Sequence, residues 1–371
     1  MLKKVITTVL TIVMVAGSIV VVSAIEPTIV QINADNFKDF VVDCVFLEKD
    51  IFVMEAHEDV IWARHRGTEL LKSTDQGLSW TLVHKFEKPI NAIYCDDCGN
   101  VFVALTLDRW AADGTGQLYR SADDGENFCM VLDLEAGVST NWNITSSSDV
   151  MLVSEYGYKG NNSNNARKIY RSLDFGQTWE IVFNPTPQEE WHNHKILITH
   201  DGTIYQSIGD GANARIIKSI DNGNTWATVI YRFHPTSAVD FDTHILWGLD
   251  TGPWAGVARY DKQTGQMSRS LVLPQPFNGA AYDMAVANGI VYAMFMSYEG
   301  HSHPASIFYS EDEGLTWNLL GYIEKEPHHG VGLTGLTVDE EFGYISIQTP
   351  IYNDDEVEIY FGTLRFELMD S

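Results

Sequence analysis

Short runs of β-branched and aromatic residues recur along the chain, separated by polar or glycine-containing breaks. Ile51-Phe52-Val53-Met54, Val101-Phe102-Val103-Ala104, Ile290-Val291-Tyr292-Ala293 and Tyr344-Ile345-Ser346-Ile347 are of this kind. Runs this short, rich in residues that suit a pleated surface, predict strands, and no long helical period interrupts them. Asp50, Asn100, Asp149, Asp201-Gly202, Asn288-Gly289 and Phe342-Gly343 fall at equivalent places before such runs and predict the turns that lead into them.

A second signal follows the strands. The phrase S-x-D-x-G-x-[TSN]-[WF] occurs at Ser73–Trp80, Ser121–Phe128, Ser172–Trp179, Ser219–Trp226 and Ser310–Trp317. Its glycine predicts a backbone position with φ > 0, and its Asp and Ser can accept turn N–H groups. The terminal ring supplies a large apolar body for the sheet. Strand-like runs flank each copy, Lys168-Ile169-Tyr170-Arg171 before and Glu180-Ile181-Val182-Phe183 after the third, so the phrase joins antiparallel strands. The Asp residues at 75, 123, 174, 221 and 312 are 48, 51, 47 and 91 apart. The last gap is two periods, and the degenerate turn Asp261-Lys262-Gln263-Thr264-Gly265 lies inside it.

The octapeptide resembles the Asp-box, or BNR, repeat of sialidase-like β-propellers. A period of about 40–50 residues with four short strands is also a propeller-blade signature. The expected fold is therefore all-β, one propeller over residues 25–371 with four-stranded antiparallel blades. Blades are expected near 40–85, 90–133, 140–183, 192–231, 238–273, 280–322 and 330–368, which makes seven; six plus an edge hairpin is the alternative. Thr28-Ile29-Val30-Gln31-Ile32 is the candidate strand to close the ring. The resemblance gives Asp75, Asp123, Asp174, Asp221 and Asp312 a structural role.

Charge and the N-terminus narrow the setting. The net charge of −26 argues against a nucleic-acid partner. Lys3 and Lys4, the apolar run Val5–Val22 and the small residues Val22-Ser23-Ala24 read as a signal peptide over residues 1–24, with an uncleaved anchor as the alternative. The expected location is secreted or at the cell surface. Export makes disulfides the first expectation for Cys44, Cys95, Cys98 and Cys129, with Cys98 and Cys129 a possible pair.

Alternating strand direction puts the octapeptides at one end of the ring and the B–C and D–A loops at the other. That second end is expected to hold nine of the twelve histidines and Trp62, Trp110, Trp142, Trp191 and Trp254. Tyr156, Tyr158, Tyr298, Glu55, Glu58, Glu155, Glu190, Asp210, Asp250 and Glu299 join them. Indole faces stack on sugar C–H groups and carboxylates bind hydroxyls, so a glycan or polysaccharide is the expected ligand. Substrate-binding candidates are those five tryptophans with Arg167, Asp250, Tyr298 and Glu299. His192 and His194 lie two apart on a strand and share a face, able to serve one substrate or one metal. His301 and His303 repeat the spacing and are candidate ligands for a zinc or calcium ion.

Propellers with Asp boxes include sialidases, other glycoside hydrolases, polysaccharide lyases, sorting receptors and assembly factors. The Arg-Ile-Pro-like segment that precedes the first box in sialidases is absent, and no catalytic residue carries over from them. For a glycosidase, Glu155, Asp210, Asp250 and Glu299 are the carboxylates to test. For a lyase, His192, His194, Tyr156 and Arg167 are the candidates. A non-catalytic extracellular propeller that binds glycan or protein, or scaffolds a surface assembly, is the other class.

Overall fold

Blades 1 to 6 are each one antiparallel meander that runs outward from strand A to strand D, because each connection returns the chain beside the strand it has just left. The computed structural model describes residues 12–15, 18–21, 37–48, 50–106, 115–136, 139–156, 167–185, 192–209, 213–250, 255–297, 303–324, 332–353 and 356–369. Seven four-stranded units form the ring, at 51–85, 90–136, 139–183, 192–231, 235–272, 281–323, and 332–367 with Cys44–Phe46. Each strand A touches the strands A of both neighbouring blades, so the seven line a central channel. Ile12–Val15 and Ser18–Val21 pair as a separate hairpin. Among the described residues, no helix is long and apolar enough to cross a membrane.

Burial follows position in the blade. Strand B lies between neighbouring sheets and is covered on both faces. Val101–Leu105, His244–Leu249 and Ile290–Phe295 are buried throughout. Strand D lies at the rim, where Ala227–Tyr231 alternates exposed and half-buried positions. Register shifts occur in strand A of every blade. In blade 4, His194 and Lys195 lie between the pairs Asn193–Ile208 and Ile196–Gln206, opposite Ser207 alone. Such a bulge bends the strand and re-aims its side chains.

The octapeptides form the C–D turns of blades 1, 2, 3, 4 and 6, as expected. In the third, the Ser172 hydroxyl donates to Asp174 Oδ1 at 2.8 Å and accepts the Gly176 N–H at 2.8 Å. The Thr178 N–H and hydroxyl donate to the two Asp174 oxygens at 2.8 and 2.7 Å. The other four copies repeat these bonds, with Ser79, Asn127, Thr225 and Thr316 as the side-chain donors. The seventh position therefore requires a short donor. Two consecutive residues are left-handed, Phe175 at φ 56° and Gly176 at φ 74°. Gly176 also has no room for a side chain, since a Cβ there would lie 2.3 Å from Cε1 of Phe102 on the preceding blade. The degenerate turn joins Gly256–Asp261 to Met267–Val272 and keeps only the bonds from Thr264 to Asp261.

Three expectations are corrected. Ile51–His57 is strand A of blade 1, not strand B, and Val60–His65 is strand B. The A–B turn is therefore Glu58-Asp59, which places His57 and Glu58 at the octapeptide end. The strand that closes the ring is Cys44–Phe46, paired with Leu364–Phe366 as strand D of blade 7. Phe37–Lys38 adds a fifth strand outside blade 6; Thr28–Ile32 lies outside the described residues. Blade 7 needs no octapeptide because no peptide connects its strands C and D. All four cysteines are thiols. Cys98 lies in the turn between strands A and B of blade 2 and Cys129 opens strand D of the same sheet, two or more strand spacings away, roughly 10 Å at the usual spacing, too far for a bridge.

Candidate functional site

Tyr156 ends strand B of blade 3 (Met151–Tyr156), and His192 opens strand A of blade 4 (His192–Ile198). Both ends lie at the B–C and D–A side of the ring, so adjacent blades bring them together. The Tyr156 and His192 ring centroids are 4.7 Å apart at 51°. His192 Nε2 and His194 Nε2 are 2.8 Å apart. One of these nitrogens must donate and the other accept, so the pair shares a proton. The imidazoles are 8% and 3% exposed, while Tyr156 is half-buried. Gly209, opposite His192 in the ladder, makes the space: a Cβ there would stand 2.3 Å from His194 Cε1.

Glu155 belongs to the same junction, but its carboxylate is already occupied. The N–H groups of Arg167 and Lys168 both donate to Oε2 at 2.9 Å, and the Tyr170 hydroxyl donates to Oε1 at 2.7 Å. It is fully buried, and burial raises its pKa against those bonds. Glu155 thus ties the start of strand C to the end of strand B. The Asn193 side chain donates to the Lys168 carbonyl at 3.2 Å, which fixes the same segment against blade 4. Arg167 is 3% exposed, and its Nε and Nη2 have no hydrogen-bond partner.

The other candidates separate. Trp62 is not a loop residue. It lies on strand B of blade 1, 2% exposed, packed with Leu70, Phe86, Ile90 and Val103 between blades 1 and 2. The Lys72 ammonium lies 5.4 Å from its ring centroid. Asp250 is half-buried and lines a cavity of about 320 Å³ between blades 4 and 5 with Arg232, His234 and Arg269. Trp142 is on strand A of blade 3 (Ser139–Ser146). His303 Nδ1 lies 3.0 Å from the Pro276 carbonyl oxygen. Among the described residues, no three His, Cys, Asp or Glu side chains assemble as a metal site. Trp110, Trp191, Asp210, Trp254, Tyr298, Glu299 and His301 lie outside the described residues.

Sequence reasoning missed Lys195 and Asp283 and misplaced Glu55. All three are on strands A, in blades 4, 6 and 1, and their charges act on one another across the channel. The visible signal was a charged residue inside an otherwise apolar inner strand, as in Ala281-Tyr282-Asp283-Met284-Ala285. Glu55 accepts the Cys95 N–H at 3.1 Å, and Asp283 accepts the Leu336 N–H at 3.3 Å, so each also stitches its blade to the next. Burial raises Asp283 and lowers Lys195. Glu55 is pushed up to about 8, by burial first and by Asp283, against the Cys95 N–H and Lys195.

These groups set a pH dependence of stability. Asp174 is held at about 2, first by the Thr178 hydroxyl, and Asp201 at about 2, first by the Thr199 hydroxyl. An unfolded Asp titrates near 3.9, so their stabilisation is complete above about pH 4 and is lost as pH falls towards 2. Glu55 acts with the opposite sign. Its penalty is absent while it is protonated and grows from an unfolded pKa of about 4.3 until pH passes about 8. We expect the melting temperature to peak in mildly acidic solution, fall steeply below about pH 4 and decline gently towards pH 8. Glu55→Gln should flatten the gentle limb. Circular dichroism melts across pH check this; a maximum in alkaline solution would contradict it.

The sequence matches no protein-family model and no curated protein. Solved structures do match. YCF48 from Cyanidioschyzon merolae aligns with a TM-score of 0.55 at 14% identity, over 89% of this chain and 98% of that one. A GH74 xyloglucanase from Xanthomonas campestris aligns with a TM-score of 0.57 at 15% identity, over 90% of this chain and 55% of the xyloglucanase, so this chain spans about half that enzyme. A structure of YCF48 bound to D1 peptide aligns with a TM-score of 0.54 at 11% identity, over 92% of this chain and 100% of that one. At these identities the likeness establishes the β-propeller fold alone.

Proposed function

We propose that this chain is an exported carbohydrate-active propeller of the Asp-box kind, with its glycan held on the loop face opposite the octapeptides. Proton transfer takes place at the junction of blades 3 and 4. Tyr156 is the member of the cluster exposed enough to meet a ligand, and His192 and His194 stand behind it as a proton relay. The observation that carries this reading is the continuous Tyr156–His192–His194 contact, with 4.7 Å between the first two rings and 2.8 Å between the imidazole nitrogens. A phenol beside a proton-sharing imidazole pair suits general acid–base work near neutral pH. A carboxylate pair is less well supported, because Glu155 already accepts three hydrogen bonds.

The lysine-flanked apolar leader supports export, and a xyloglucanase among the structural neighbours is compatible with a glycan ligand. Incubation with a panel of neutral and acidic polysaccharides tests the proposal. New chain ends should be released from at least one polymer. Glycan binding without products would make the chain a binding module instead, and neither binding nor products would remove the carbohydrate reading.

A further inference from the structure

Arg167 presents a feature that the proton relay does not use. Its guanidinium is almost wholly enclosed, at 3% exposure, yet Nε and Nη2 donate to nothing. The nearest carboxylate does not answer it. Glu155 is taken up by the backbone of Arg167 and Lys168 and by Tyr170, and acts on the guanidinium only through its field. Burial pulls the Arg167 pKa down, with Glu155 opposing. A buried cation left without hydrogen-bond acceptors is costly unless a ligand completes it.

The two unpartnered atoms also have a shape. The Nε–H and one Nη2–H of a guanidinium point the same way and form its side-on fork. That fork matches the two oxygens of a carboxylate in a bidentate pair. Arg167 belongs to the Tyr156–His192 junction through the backbone: its N–H is bonded to Glu155, the residue before Tyr156, and the carbonyl of Lys168, the residue after it, is held by Asn193, the residue after His192.

We infer that the Arg167 fork receives the carboxylate of a hexuronate residue, so that the glycan is a polyuronate and the reaction at this junction is β-elimination. This rests on the proposed carbohydrate-active reading and specifies its substrate. With the carboxylate neutralised, the hydrogen on the adjacent ring carbon becomes acidic enough for a base at Tyr156 and the histidine pair to remove. The electron pair of that C–H bond becomes the new ring double bond. The bond from the next carbon to the glycosidic oxygen breaks, and that oxygen takes a proton. No water, oxidant or cofactor enters the balance.

Oligouronates and their carboxyl-reduced counterparts, which differ only in carrying CH₂OH for the carboxylate, provide the test. Calorimetry should show the reduced oligomer binding about 10–100-fold more weakly, the worth of a charge-assisted pair. Arg167→Met should abolish that preference while melting no lower than the wild type without ligand, because it removes an unpaired buried charge. Polyuronate products should carry the ultraviolet absorbance of an unsaturated uronate. Equal binding of native and reduced oligomers would overturn the inference. So would a preference retained in Arg167→Met, or tighter binding of a sulfated neutral glycan than of any uronate. A clear fall in melting temperature in Arg167→Met would show a structural guanidinium and overturn it independently. If a neutral polymer is processed and uronates are ignored, the inference fails while the carbohydrate-active reading stands; if no glycan binds, both fail.

Discussion

Tyr156→Phe will lower glycan turnover by about 10²–10⁴-fold, the range for loss of a general acid or base, while the protein keeps its fold. The substitution removes one oxygen and leaves the ring. That ring packs at 4.7 Å against His192, a contact that phenylalanine preserves. The side chain is half-buried at the end of strand B of blade 3, so stability should change by no more than about 0.5 kcal/mol. The loss should fall on turnover, with binding of substrate little altered. Steady-state kinetics on the polymer that gives products, with a melting curve alongside, provides the check. Turnover within a few-fold of wild type would take Tyr156 out of the chemistry and leave the histidine pair without a route to the ligand.

Deleting residues 37–47 will cost most of the stability of the ring. Cys44–Phe46 is strand D of blade 7, and the Leu47 N–H continues the attachment to the Thr363 carbonyl at 2.9 Å. Leu47 is 5% exposed, worth about 1.5–3 kcal/mol by burial alone. Phe40, Val42, Cys44 and Phe46 pack against the core shared by blades 6 and 7 and add to this. The Phe40 ring covers Gly321 so closely that a Cβ there would be 2.5 Å from Cγ of Phe40. Together these losses approach the whole margin of a typical fold, about 5–15 kcal/mol, and they leave strand C of blade 7 as an open edge. The shortened chain should aggregate or melt without cooperativity, and a peptide of residues 37–48 should restore it by strand addition. A deletion that melts within a few degrees of wild type would show that the ring does not depend on this latch.

Blades 2 to 6, and the first three strands of blade 7, were legible because each octapeptide or turn marks a position within its own blade. Blade 1 was not. Ile51–Met54 follows a turn-like Asp50 and has a strand's composition, but whether a strand is A or B depends on what pairs beside it. Its preceding strand, Cys44–Phe46, belongs to blade 7, and that pairing spans almost the whole chain. The one-strand shift then carried Trp62 into a loop, when in fact it is part of the core. The histidine pair was readable because two residues of spacing on a strand is a local rule. Saturation of Glu155 was not, because its donors, Arg167, Lys168 and Tyr170, lie on the far side of the B–C loop. The channel charges were hidden for a similar reason. A single Glu, Lys or Asp in an apolar run gives no sign of which strand is innermost.

The octapeptide glycines have a bearing on how such a ring can grow. Gly125 faces Trp62 and Val83 of blade 1, Gly176 faces Phe102 of blade 2, Gly223 faces Val182 of blade 3 and Gly314 faces Leu246 and Ser270 of blade 5. Each turn therefore clasps the blade made just before it. A gene segment copied in tandem would carry its clasp with it, and the clasp would meet the same kind of surface on its new predecessor. Gly265 of the degenerate turn meets only Tyr260 of its own blade. At that turn the clasp on blade 4 is missing and the ring stays closed, with the neighbouring clasp at Gly314 holding blade 5 from the other side.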